Sequence, residues 1–209
     1  MPELSNSQIH RLLIPYQVDA SDHLCDGIRR YIALLLKWNQ RVALTTVTDP
    51  EQIVRFHFGE SIFAASAVPI RDGRLADVGS GPGFPSIPIS MVNASLNVVS
   101  IESNLKKSTF QSEVIRSLGL TNVALYRGRM EDYDPSSLRF DFISARALGM
   151  FDELLAWSRN SLSEIGSVVL WLGEADVERL NRDQTWAWLE PIKIPDSDRR
   201  FLLVGSPAG

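Results

Sequence analysis

The apolar positions of this chain change their period near residue 70. Before it they recur every three to four residues. Leu24, Ile28, Tyr31, Ile32, Leu35 and Trp38 fall on one face of a helix that Ser21 or Asp22 can cap and that runs to about Val42. Residues 45–50 break the pattern, with Asp49-Pro50 as a turn and helix start, and Ile53, Phe56, Ile62 and Phe63 mark another helix. Residues 5–70 thus predict helices packed beside the remainder of the chain, with Trp38 and Phe56 in their core. From Leu75 onward short apolar runs alternate with amphipathic segments. Strands are predicted at 75–78, 96–101, 123–126, 140–144 and 166–172, and helices at 87–92, 105–118 (closed by Gly119), 151–162 and 177–180. Residues 186–194 and 201–204 predict an antiparallel closing pair. This is the signature of an α/β chain with a mainly parallel, doubly wound sheet, whose ligands sit at the carboxyl ends of the strands. The division expected is a helical extension over 1–70 and a sheet domain over 71–209.

The sharpest local signal joins the first predicted strand to the first crossover helix: Asp77-Val78-Gly79-Ser80-Gly81-Pro82-Gly83-Phe84-Pro85. Glycines at alternate positions let a ligand approach bare backbone. Pro85 is expected in the first helical turn, and that helix N-terminus favours a carboxylate or phosphate. One strand later the chain reaches Glu102, where an acid can hydrogen-bond both hydroxyls of a ribose. A dinucleotide fingerprint would need its third glycine where Phe84 or Ser86 stands, so that register fails. The pattern D-x-G-x-G-x-G instead resembles the first motif of class I S-adenosylmethionine-dependent methyltransferases, in which the loop wraps the methionine part and the second-strand acid holds the ribose. After the third strand come Arg129, Met130, Glu131 and Asp132. An acid there can hold an adenine amino group; the plain alternative is a solvated turn.

Composition narrows the setting. The 209 residues are 44% hydrophobic, enough for one α/β domain with a modest extension, and the net charge of −4 leaves any nucleic-acid contact to a local basic patch. Cys25 is the single cysteine, which excludes an internal disulfide and fits a reducing compartment. No apolar run reaches membrane-spanning length. Met1-Pro2-Glu3-Leu4-Ser5 lacks a basic region followed by an apolar core, so a cytoplasmic protein without membrane attachment is expected. No His/Cys/Asp grouping has metal-ligand spacing, and no metal is expected.

Methyl transfer to a pyrimidine carbon usually demands an enzyme cysteine, and Cys25 is far from the strand ends. An exocyclic amine acceptor usually comes with a Pro-Pro-aromatic turn after strand four, where this chain has Ser144-Ala145-Arg146. Guanine N7 presents its own lone pair and needs orientation rather than a base, and arginine suits guanine's N7 and O6. Arg146 is therefore the candidate catalytic residue; a buried structural arginine paired with a strand-end acid is the plain alternative. Lys106 and Lys107 open the second crossover helix and could contact RNA phosphates.

Lys37-Trp38-Asn39, Leu44-Thr45, Asp49-Pro50, His57 and Glu60-Ser61 are similar to the N-terminal signature of the glucose-inhibited division protein B family. The glycine loop, Glu102-Ser103, Lys106-Lys107, Phe110, Arg129-Met130-Glu131-Asp132 and Ala145-Arg146-Ala147 match its later segments, over about residues 30–175. Many members have Lys-Gly where Leu172-Gly173 stands. The resemblance implies a guanine-N7 methyltransferase of small-subunit (16S) ribosomal RNA, using S-adenosylmethionine and acting on the RNA or the ribosomal particle; a monomer is expected. It implies cofactor contacts from Asp77, Gly79, Ser80, Gly81, Gly83, Phe84, Glu102, Ser103, Arg129, Met130, Glu131 and Arg146, and RNA contacts from Lys106, Lys107 and His57. Two other readings stay open at this point: a class I methyltransferase of another RNA or a small molecule, and a non-catalytic RNA- or nucleotide-binding module.

Overall fold

A computed structural model describes residues 3–135 and 138–208; Met1 and Pro2, part of the N-terminal stretch expected to lack a leader, lie outside them. The helical part comprises α1 (Asn6–Leu13), α2 (Asp22–Asn39), α3 (Pro50–Gln52) and α4 (Glu60–Ala67), with a π-helical segment Ile53–Gly59 joining the last two. The rest runs β1 (Gly73–Val78), α5 (Ser86–Val92), β2 (Leu96–Ile101), α6 (Leu105–Leu118), β3 (Val123–Tyr126), β4 (Phe140–Arg146), α7 (Phe151–Ser161), β5 (Leu162–Gly173), α8 (Glu174–Leu180), β6 (Trp186–Trp188), β7 (Ile192–Lys193) and β8 (Arg200–Pro207).

The strands form an eight-stranded sheet in the order β3-β2-β1-β4-β5-β8-β6, with β7 also on β8. The first five are parallel, and β8 enters antiparallel to β5, so that Gly173 lies opposite Arg200. Side chains alternate between the two faces. Ala76, Val78, Val168 and Leu170 pack with α7 and α8 on one face, and Leu75, Val169 and Trp171 pack with α4 and Ile89 of α5 on the other. A third cluster unites α2 with Phe84, Ile87, Phe110 and Val114, so the N-terminal helices share apolar contacts with the loop and with α5 and α6.

Local chemistry explains the element ends. Ser21 Oγ accepts from the Leu24 amide and starts α2, and Asn104 Oδ1 accepts from the Lys106 and Lys107 amides and starts α6, which Gly119 ends at φ +67°. The sequence expects α2 to reach Val42. It stops at Asn39, whose side-chain amide accepts from Leu44 and Thr45 N–H and donates to Thr45 O, holding residues 40–45 as a loop. Pro85 sits one place earlier than expected, at the cap of α5 rather than in its first turn. Trp38 is half-buried against the core and hydrogen-bonds Glu113, but Phe56 is not part of the apolar clusters; it is half-exposed under the Arg200 guanidinium.

Candidate active site

The glycine loop between β1 and α5 has Gly79, Gly81 and Gly83 at φ +67°, +59° and +95°. Side chains would be strained there. A Cβ on Gly79 would also lie 2.5 Å from Leu148 Cδ1, whereas one on Gly81 would meet nothing closer than 4.0 Å, so the backbone there faces open space.

The loop is held from below by a buried polar network. Glu102 Oε2 accepts from the Gly81 amide at 2.8 Å and Oε1 from the Asn104 amide at 2.7 Å. Gln111 Nε2 donates to Gly81 O and to Ser80 Oγ, each at 2.7 Å, and Ser100 Oγ bridges Ser80 and Gln111 Oε1. Tyr31 OH donates to Pro82 O. Asp77, fully buried, accepts from the Ser86 amide and from Ser144 Oγ. Burial pushes its carboxyl up to about 6, against the lowering by those hydrogen bonds. The anion at the start of α5 is thus the protein's own Asp77, and the expected use of that helix end for a ligand carboxylate or phosphate is corrected accordingly.

Three cavities run in series over the strand ends. The first, about 200 Å³, is lined by Val78, Ile101, Met130 and Leu148, with Ser103, Arg129 and Glu131 adding polar groups. The second, also about 200 Å³, lies over the loop and takes in Ser80, Gly81, Phe84, Thr45, His57 and Lys107. Gly79 is common to both. The third, about 430 Å³, opens between the ends of β4 and β5, and Arg146 and Ala147 line it as well as the second. Ala147 holds φ +54°, a conformation costly for a residue with a Cβ and one that clusters at functional sites.

Most candidate residues converge here. Gly79, Ser103, Arg129, Met130 and Glu131 border the first cavity; Gly79, Ser80, Gly81, Phe84, His57, Lys107 and Arg146 border the second. Asp77, Gly83 and Glu102 line none of the three, but Glu102 lies directly beneath Gly81, which lines the second, and holds its amide. Lys106 is exposed outside them.

His57 lines the second cavity as a buried, neutral ring. Its ring stacks on Phe84 at 4.6 Å, and Nε2 lies 2.9 Å from Thr45 Oγ1. Burial, then the charges of Arg146 and Arg200, lower its pKa from 6.5 to about 3, so it is neutral near pH 7 and offers no cation to a phosphate. The unfolded chain binds that proton near pH 6.5 and the folded chain near pH 3, so His57 contributes stability that is full above 6.5 and lost as the pH falls towards 3. Asp77 acts with the opposite sign between 3.8 and about 6. The melting-temperature difference between wild type and His57→Gln should therefore grow from pH 3 to 6.5 and level off above it. Parallel pH profiles would show that the histidine is not held neutral.

Arg146 ends β4 and pairs with Glu60. Its Nη2 stands 3.3 Å from Glu60 Oε2, while Arg200 Nη1 stands 2.8 Å from Oε1 of the same carboxylate, which is 1% exposed. The buried pair that the sequence offered as the plain alternative exists, but its acid begins α4 and is not at a strand end. Burial raises the Glu60 carboxyl while the two guanidiniums lower it. Trp171 Nε1 fixes the Glu60 carbonyl at 3.1 Å. Sequence reasoning missed Arg200, Gln111 and Tyr31 as site-forming residues. Glu60 stands out in the sequence only as part of the family signature, with nothing in its neighbours to show that it would be shared by two arginines.

The parallel sheet, the crossover helices and a bare glycine loop before a second-strand acid define a class I methyltransferase. The family model for rRNA small subunit methyltransferase G matches residues 24–197, and the chain belongs to that family. Ribosomal RNA small subunit methyltransferase G of Chromobacterium violaceum is 34% identical over 206 residues, 96% of this chain and 97% of that one. The protein of the same name from Xylella fastidiosa is 38% identical over 178 residues, 83% of this chain and 82% of that one. Among solved structures, a ribosomal protein L11 methylase from Lactobacillus delbrueckii shares the fold with a TM-score of 0.62 at 17% identity, covering 74% of this chain and 80% of that one. The glycopeptide N-methyltransferase MtfA, complexed with S-adenosylmethionine, does so at 0.61 and 12%, covering 73% and 88%. Among the described residues no helix is long and apolar enough to cross a membrane, and no three metal-ligating side chains gather.

Proposed function

We propose that this chain methylates N7 of a guanine in small-subunit ribosomal RNA, working as a cytoplasmic monomer on the RNA or the ribosomal particle. S-adenosylmethionine fits the first two cavities. The apolar walls at Val78, Ile101, Met130 and Leu148 suit an adenine face, and Glu131 suits its amino group. Each Glu102 oxygen accepts one backbone N–H and keeps capacity for a ribose hydroxyl. The exposed backbone at Gly81 suits the methionine part. When bound, the cofactor supplies a methyl group on a sulfonium.

The observation that carries the acceptor assignment is the junction between the second and third cavities. Arg146, a cation, lines both, and the second also holds His57, a histidine too acidic to take a proton near pH 7. A general base should titrate near the working pH. N7 of guanine loses no proton on methylation and asks only for orientation and a donor such as arginine. Lys107 at the cavity rim and Lys106 beside it are placed to meet phosphates of the strand that delivers the base.

The test is a map of N7-methylguanine in ribosomal RNA from a strain lacking this protein. One small-subunit position should lose its methyl group and regain it when the wild-type chain is returned. An unchanged map, or loss only in the large subunit, would overturn the assignment.

A further inference from the structure

We infer that the 430 Å³ cavity between the ends of β4 and β5 is a binding site for a guanine base turned out of its RNA strand, with Asp176 as the residue that selects guanine. The inference rests on the guanine-N7 reading and adds the pocket and its selecting group.

The size is that of a small-molecule site. Phe151, Trp171 and Leu172 give it apolar walls, and Arg146, Arg200, Glu60 and Asp176 are its charged groups. Two cations and two anions cancel, so the cavity is not built for a phosphate. It suits a neutral planar ligand with donors on one edge and acceptors on another. Glu60 is engaged by both arginines, whereas the half-exposed Asp176 carboxylate has no ion-pair partner among the described residues. Nη1 of Arg146 is buried without an acceptor among those residues, so the guanidinium keeps donor capacity.

These groups match guanine in one orientation. N7 must face the junction with the second cavity, which Arg146 and Ala147 form. O6 neighbours N7 and then meets Arg146 as an acceptor. The opposite edge, with the N1 and N2 hydrogens, turns towards α8, where Asp176 can accept from it. Adenine fails twice. Its 6-amino group would face a guanidinium, and its unprotonated N1 would face a carboxylate. A polar site of this kind rejects the mismatched base strongly because its own groups are left unpaired.

The probes are 5′-GMP, 5′-IMP and 5′-AMP, titrated into the full chain and read by ligand-observed NMR. Wild type should bind GMP more tightly than IMP, which lacks the 2-amino group, and AMP least. Asp176→Ala should weaken GMP about tenfold and erase its advantage over IMP, with the melting temperature and S-adenosylmethionine affinity unchanged. Asp176→Asn, which keeps an acceptor oxygen, should recover part of the GMP binding. Equal binding of GMP and AMP by wild type, or GMP binding indifferent to Asp176→Ala, overturns the pocket assignment. If GMP binding depends on Asp176 while the ribosomal RNA map is unchanged, the pocket stands and the RNA assignment falls. If the map changes and GMP binding ignores Asp176, the pocket alone falls.

Discussion

Glu102→Ala should weaken S-adenosylmethionine binding by well over tenfold while leaving the fold intact. Two losses combine. A charge-assisted contact to a ribose hydroxyl contributes about 1.5–3 kcal/mol, on the order of ten- to a hundredfold in affinity. The Gly81 amide also loses its acceptor at 2.8 Å, in a loop whose three glycines give it little stiffness of its own. Gln111 would still hold Gly81 O and Ser80, so the loop should loosen rather than collapse. Glu102→Gln should fall between, since one amide oxygen cannot serve Gly81, Asn104 and the ribose together. Calorimetry reads all three proteins. A cofactor analogue lacking a ribose hydroxyl separates the two losses. It should bind wild type more weakly, and Glu102→Ala should cost it less than the natural ligand. An unchanged affinity for the natural ligand in Glu102→Ala would remove this acid from the cofactor site.

What the sequence made legible was what neighbouring residues decide. The bounds of β2, α6 and β3 fall where the pattern puts them because each end carries its own signal: Asn104 before α6, Gly119 after it, short apolar runs on either side. The glycine loop was legible because alternate glycines before an acid-ended strand have few other uses. The partners of those residues were not. Asp77 reads as a cofactor contact and is in fact buried against Ser86 and Ser144, a relation that exists only once β4 lies beside β1. Gln111 reads as an ordinary helix residue, and nothing in α6 reveals that it faces the loop thirty residues earlier. Arg200 was invisible because β8 enters the sheet out of order, beside β5, and only that register brings it to Glu60. An Arg146 engaged only in the chemistry would leave the melting temperature of Arg146→Ala unchanged. The Glu60 pair changes that expectation.

Glu60→Ala should be the most destabilising single change in the site. It removes the anion that two guanidiniums share, and breaking a buried pair from one side costs about 3–5 kcal/mol. In a chain of this length that is roughly 10 °C of melting temperature. Arg200 is 38% exposed and can turn to water, so most of the cost falls on Arg146, whose side chain is 17% exposed. Arg146→Ala leaves Glu60 with Arg200 and should cost less. Neither single variant separates folding from methyl transfer. The pair does: Glu60→Leu with Arg146→Met replaces the buried ions by apolar groups of similar reach, an exchange that is often neutral or stabilising. The double variant should melt near wild type and bind S-adenosylmethionine, yet fail to methylate ribosomal RNA, because the donor at the junction of the second and third cavities is gone. Methylation at the wild-type rate by that stable double variant would make Arg146 a structural ion-pair partner and no part of the chemistry.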